Sequence, residues 1–537
     1  MKICSYRFQV LSIAMAAMAV ATACSGGKKD KNTLTIAMSG EPPELNATKA
    51  TDSESFFILG HTMEGLTRVG ADGKPAPGVA EKWEITEKGA TFWLRKNALW
   101  SDGKPVTAHD FVYSWQTVVN SKNASEYAFI LYPIKNAETI NTKKTAVETL
   151  GVQAEGDHTL KVTFEKPCGY FLALTSFATY FPVRKDFHEK QGEKYGAEAN
   201  TLLYNGPFML TEWVHGAKLK LEKNPNYWNA ATIKLAKIDI PYITPDDSAR
   251  FNLFKDKKTD VLGLNKDNLQ TAQREGFRLK KFADGSVFFL EYNFLQGRIL
   301  NNKNLRKALQ SVFNAEEFVN KVIGVPGTQP GLTLIPQYMT GKKELFRQDY
   351  PIQRQPVDIE AGKKFLAAAM KELKLKEVPA LVWLTGDSPT SSKEAEYFQN
   401  LFKTTLGIEL RIDKQIFKQR LAKMSAGEFD IVSAGWGPDY NDPMTFADLL
   451  TSWNENNRGR WKNAQYDELI RKAQGTTNQT TRMDAMAAAE KLMLEEMPIL
   501  PLFERSVVYT HADHVQGIVR RQVGFDPDYT GVEIKTN

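Results

Sequence analysis

The stretch Ala434-Gly435-Trp436-Gly437-Pro438-Asp439-Tyr440-Asn441-Asp442-Pro443-Met444 brings together residue types suited to a ligand site. Gly435 and Gly437 let a ligand approach the backbone, Trp436 and Tyr440 offer broad apolar walls, and Asp439 offers a fixed negative charge. A carboxylate at the end of a buried strand suits an ammonium group, through an ion pair with charge-assisted hydrogen bonds. A turn in which Asp439 and Asp442 accept from nearby backbone N–H groups fits the same residues. On residue types alone both readings stay open.

Other reactive patterns are incomplete. Ser101 and Lys104 spell S-x-x-K, without the S-D-N and K-T-G partners of penicillin-recognising enzymes. Asp439 and Asp442 are better read as neighbouring loop carboxylates than as a glycosidase pair. His511 and His514 form H-x-x-H without the glutamate and helical spacing of a zincin, and read as exposed loop or strand-end histidines. No G-x-x-x-x-G-K-[ST] occurs, so a P-loop nucleotide site is not expected in this chain. Asn226-Tyr227-Trp228 and the stretch from Trp453 to Trp461 read as scaffold packing rather than sugar stacking. Oxygen and imidazole ligands are not concentrated near the aspartate segment, and no metal or cofactor is expected.

The elements that must hold the aspartate segment show in the periodicity. Trp83-Glu84-Ile85 and Ala90 to Leu94 alternate around Lys88-Gly89 as a hairpin; Thr159 to Phe164 and Lys218 to Glu222 share that period of two. Asp110 to Val119 reads as a helix. Leu305, Ala308, Leu309 and Val312 fall on one helical face. Asn314 then reads as an N-cap with Glu317 at the capping-box position. Asp358 opens a helix with the stripe Phe365, Leu366, Ala369, Met370 and Leu373. Ala380–Leu384, Ile408–Ile412 and Phe429–Ser433 read as strands separated by helices over Ser392–Leu406 and Ile416–Ser425. That order describes parallel βαβ units, whose ligands bind beyond the carboxyl ends of strands, here just after Ser433.

The chain has 537 residues, 42% apolar and 25% charged, and exceeds the roughly 250–300 residues at which single cores stop growing, so several lobes are expected. Lys+Arg 69 against Asp+Glu 63 gives +6, scattered along the chain, with no footprint for nucleic acid. Of three cysteines, Cys168 reads as a structural thiol, and no disulfide framework can form. Lys2 and Arg7 precede an apolar run from Phe8 to Val20, which marks residues 1–23 as a secretory signal. Cys24, after Ala21-Thr22-Ala23, resembles the lipidated cysteine of a bacterial lipobox, with Ala21 where that pattern prefers leucine. Residues 24–32 would be a tether; plain cleavage after Ala-x-Ala is the alternative.

An ordered set of motifs then resembles the oligopeptide-binding branch of the extracellular solute-binding proteins (family 5) of bacterial ABC importers. It comprises Glu64-Gly65-Leu66-Thr67 through Pro77 to Trp83, Trp100-Ser101-Asp102-Gly103-Lys104-Pro105-Val106-Thr107-Ala108, Tyr204-Asn205-Gly206-Pro207-Phe208, Asn304 to Leu309, and Gly435-Trp436 with Asp439 to Pro443. The resemblance covers nearly the whole mature chain. It implies that Asp439 binds a peptide's α-ammonium group, that Trp436 and Gly435 bond its backbone, and that Tyr127, Phe417 and Glu291 contact it. Ser53 would lie where an early segment pairs with the peptide as an extra strand. Two positions depart from the pattern. Ser433 replaces an arginine able to meet the peptide carboxylate, and Gly263 replaces a pocket tyrosine; the histidine serving a similar end has no evident counterpart.

The same resemblance implies an α/β, two-lobed periplasmic-binding-protein fold with an added subdomain on the first lobe. Residues 33–70, 187–285 and 505–537 would form lobe I, 71–186 the subdomain and 286–504 lobe II. It implies a monomer that captures short peptides between closing lobes and delivers them to an ABC permease with its ATPase subunits. The location would be the periplasm or cell surface, with a lipid anchor and no covalent chemistry. A non-peptide solute (oligosaccharide, haem or nickel) on the same fold, or a surface lipoprotein hydrolase, is the alternative.

Overall fold

The computed structural model describes residues 32–535; the expected signal, most of the tether and Cys24 lie outside the described residues. Within them, period-two alternation becomes strand. Ala90, Phe92 and Leu94 are buried from the strand Gly89–Leu94, which pairs with Ala80–Thr86 as the expected hairpin. Thr159–Thr163 and Val152–Ala154 extend that hairpin into a four-stranded sheet. The helix Ala108–Val119 buries Phe111, Trp115, Val118 and Val119 beside it, and Asp110 accepts from the Thr107 N–H at 2.8 Å at its start. A second four-stranded sheet runs in the order Thr33–Met38, Lys237–Ile243, Lys218–Lys223, Phe208–Val214.

The third sheet has seven strands. Six follow the order Val261–Leu264, Ile499–His511, Lys280–Tyr292, Ile431–Trp436, Leu381–Gly386, Leu410–Gln415, and Gln329–Pro330 pairs with Ile499–His511. Leu381–Gly386 pairs parallel with both Leu410–Gln415 and Ile431–Trp436, as βαβ connections require. Trp383, Phe398, Phe402, Phe318 and Phe503 fill the core on this sheet.

Three local expectations need correction. The third of those strands spans Ile431–Trp436 rather than Phe429–Ser433, because antiparallel pairing with Lys280–Tyr292 continues to Trp436 opposite Val287. Asn314 does cap its helix, accepting from the Glu317 N–H at 3.0 Å. The Glu317 carboxylate, however, meets Lys321 at 3.0 Å instead of returning to the cap, and the helix passes into a π turn over Val319–Ile323. The helix expected from Ser392 starts at Pro389, where Ser388 accepts from the Ser391 N–H at 3.1 Å.

Lys280–Tyr292 and Ile499–His511, 13 residues each, run side by side through the middle of the molecule. Their register slips between Ala283 and Val287, at Gly285 with φ +81°, where a Cβ would sit 2.4 Å from Tyr338 Oη. Only glycine fits there. Beside this bulge Arg505 Nε donates to Asp284 Oδ2 at 2.7 Å. One apolar core runs from the Thr33–Met38 sheet through the hairpin sheet and on to Tyr440, Met444, Ile470 and Met493. Among the described residues no helix is long and apolar enough to cross a membrane.

Candidate ligand-binding site

Residues 433–436 occupy a strand that is paired on one edge only. Ser433, Ala434, Gly435 and Trp436 face Leu290, Phe289, Phe288 and Val287, while the parallel neighbour on the other edge stops at Ile431 and Val432. Gly435 is required by close approach: a Cβ there would sit 2.8 Å from the Phe288 ring. The open edge faces a cavity of about 760 Å³, a size typical of small-ligand sites.

The chain leaves the strand at Gly437-Pro438 and is then fixed by side chains. Trp436 Nε1 donates to the Thr445 carbonyl at 2.8 Å, and the Asp439 N–H donates to Thr445 Oγ1 at 3.1 Å. Asp442 accepts two parallel bonds from Arg482, at 2.7 and 3.0 Å, both side chains buried. The two aspartates therefore divide their roles. Asp442 pins the loop, and Asp439 is left with one long bond, from Tyr127 Oη at 3.3 Å. Among the described residues no cationic side chain pairs with Asp439. Burial, and after it the neighbouring Asp448, push its carboxyl well above the usual carboxylate range, while the Tyr127 bond opposes the shift. Asp448 is itself buried and raised, with Tyr440 Oη donating at 3.4 Å. Tyr127 stacks on Trp436 at 6.1 Å between ring centres and is braced by Phe56 and Phe177.

At the start of the same strand edge the Ser433 carbonyl accepts from Arg420 Nη1 at 3.1 Å, and Ser433 Oγ donates to Glu394 at 3.4 Å. Burial pushes Glu394 up to about 7. Phe417 begins the helix Phe417–Ala426, and the Arg420 guanidinium lies 5.5 Å from its ring. On the opposite strand Glu291 accepts from the Gly459 N–H at 2.6 Å, and burial raises it to about 7.

All eight residues singled out in the sequence (Asp439, Trp436, Gly435, Tyr127, Phe417, Glu291, Ser53 and Ser433) line this one cavity, as does Gly263. Ser53, however, opens the helix Ser53–Thr62, capped by Asp52 accepting from the Ser55 N–H. The extended chain available there ends at Asp52, one residue before the position expected to pair as a strand. Sequence reasoning passed over Glu394, Arg420 and Asp448. Arg420 follows Phe417 by three positions, so the helical period places both on one face.

The remaining motifs resolve into scaffold. Ser101 Oγ accepts from the Tyr204 N–H, and Tyr227 and Trp228 donate to Glu64. His511 bonds Lys280, His514 bonds Asp260, and both are half-buried rather than exposed. The Cys168 thiol is buried and pushed up to about 12, an inert form.

A half-paired strand whose open edge lines a cavity, beside the two long strands Lys280–Tyr292 and Ile499–His511, is the arrangement of a solute-binding protein. Residues 74–458 match the bacterial extracellular solute-binding proteins, family 5 Middle, and the chain belongs to that family. It is 32% identical to the oligopeptide-binding protein OppA of Bacillus subtilis over 516 residues, 93% of this chain and 92% of that one. Listeria monocytogenes OppA bound to peptide superposes with a TM-score of 0.89 at 30% identity, covering 95% of this chain and 100% of that one. Escherichia coli MppA, a murein tripeptide binding protein, is 28% identical. One of its structures gives 0.86, covering 95% and 99% of the two chains, and its unliganded open form gives 0.60, covering 94% and 98%. The chain superposes better on the peptide-bound OppA than on that unliganded open form.

Proposed function

We propose that this chain is the peptide-capturing component of an ABC importer, holding short peptides between its lobes and presenting them to a membrane permease driven by ATPase subunits. The observation that carries the reading is Asp439, a buried carboxylate without a cation at the end of a strand edge without a partner. A receptor for many sequences must grip what peptides share, the main chain and its charged ends. An open edge offers the first and Asp439 offers the second. The relatives named for oligopeptides and a murein tripeptide support the same class of ligand. An oligosaccharide or haem would leave Asp439 buried and unpaired, at a cost an ammonium removes.

The lobes would be 33–70, 187–285 and 505–537 for the first, 71–186 for its added subdomain and 286–504 for the second. The bulge at Gly285 and the Asp284–Arg505 pair lie where two of those boundaries fall. Residues 1–23 would direct secretion, Cys24 would carry a lipid, and the mature monomer would work in the periplasm or at the cell surface. The peptide would leave unaltered.

Mass spectrometry of protein purified from its native envelope without refolding tests both ends of this reading. Denaturation should release short peptides, and the intact chain should begin at an acylated Cys24. Released sugar or haem would overturn the ligand class, and an unmodified N-terminus the anchor. Loss of added peptide over hours would point to an enzyme.

A further inference from the structure

Most cations lining the cavity already have acidic partners. Arg250 pairs with Asp247, Arg458 with Glu126, Arg505 with Asp284, Arg521 with Asp528 and Lys393 with Asp267. Arg68 donates to Tyr227 and Thr530, and Lys266 is exposed and donates to the Lys321 carbonyl.

Arg420 differs from all of these. It spends one Nη1 bond on the Ser433 carbonyl, its buried Nε has no partner, and among the described residues no carboxylate pairs with it. Glu394 and Asp387 act on it only as neighbouring charges, and burial holds its pKa below the ordinary arginine value. Five donors in a planar fork, mostly unused, are shaped to take a carboxylate.

Its place on the strand gives the unused fork a meaning. Asp439 and the Ser433 carbonyl that Arg420 grips lie at opposite ends of the segment whose edge is open. An unpaired anion and an unpaired cation at the two ends of one unpaired edge complement a zwitterion in extended form. We propose that Arg420 receives the α-carboxylate of the bound peptide, which runs antiparallel to residues 433–439 with its ammonium group on Asp439. Arg420 would thus supply from a helix the charge that Ser433 does not supply from the strand, and would help set which peptide lengths reach both charges. The inference rests on the peptide reading above.

Calorimetry with tri-, tetra- and penta-alanine, their C-terminal amides and their N-acetyl forms tests it. The wild-type protein should bind the free acid at least about 30-fold more tightly than the amide, the usual effect of losing one member of a buried charge pair. In Arg420→Gln that ratio should fall to near one, with the penalty for N-acetylation retained. Equal acid-to-amide ratios in the two proteins would overturn the assignment while leaving the peptide reading intact. Failure of the wild type to bind any of these peptides would overturn that reading itself. Where Arg420→Gln does not fold, Arg420→Lys, which keeps the charge but not the fork, should lower the ratio severalfold; an unchanged ratio overturns the assignment.

Discussion

A buried carboxylate with one long hydrogen bond and a second buried carboxylate beside it favours its protonated form, and Asp439 is in that position. Its raised pKa favours the closed, empty state at low pH, and that contribution is lost as pH rises and the group ionises. An ammonium ion reverses the balance by stabilising the charged form. Binding of a free-amine peptide below the empty-site pKa must therefore release a proton, and affinity should rise with pH until the empty site is ionised. Glu291 and Glu394, both raised to about 7 by burial, add proton changes of their own, so the diagnostic part is what Asp439→Asn removes. We expect that variant to bind free-amine peptides about 2–5 kcal/mol more weakly, with an unchanged melting transition. Calorimetry between about pH 5 and pH 8, in buffers of different ionisation enthalpy, should show the released proton in the wild type and less release in the variant. Equal proton release in both would place the titrating group elsewhere.

The element that matters most is the strand Ile431–Trp436 with the loop that follows it. Asp442 and Arg482 hold that loop as a buried bidentate pair. Removing one partner strands the other charge, so Arg482→Met should lower the unfolding free energy by about 3–5 kcal/mol, read from urea denaturation. Asp442→Asn with Arg482→Met should recover part of the loss; a double variant no better than the single would mean the charge is not the cause. At this scale the sequence was readable where periodicity is local. Phe92 and Leu94 alternate, Asp358 caps its helix, and Gly407 closes the one before the next strand. The end of the ligand strand was not readable, because its last residues are held by pairing with residues 287–290, far away in the chain. The division of labour between Asp439 and Asp442 was hidden for the same reason, since Arg482 lies 40 positions away. Tyr127 lies 312 positions from Asp439, and only the family pattern pointed to it. Arg420 was legible as a charge on the face of Phe417, but its lack of an acidic partner is a property of the fold alone.

Across the whole molecule, several contacts beside the cavity join the region 71–186 to the region 286–504. Tyr127 reaches Asp439, Glu126 pairs with Arg458 at 2.7 Å, and Glu138 pairs with Arg471 at 2.7 Å. Tyr170 stacks on Tyr440, and an apolar core runs across the same junction. If Asp439 and Arg420 receive the two ends of a peptide as proposed, closing the cavity without one would be costly and would favour opening, while a zwitterion would satisfy both charges and favour closure. A net charge of +6 on 537 residues is in keeping with this, since such recognition would need two well-placed charges rather than a charged surface. Small-angle X-ray scattering with one peptide and its N-acetylated form tests the coupling of charge to closure most directly. The free-amine peptide should reduce the radius of gyration, and the N-acetylated form, at the same concentration, should do so far less. Equal compaction by both peptides, or none by either, would contradict it.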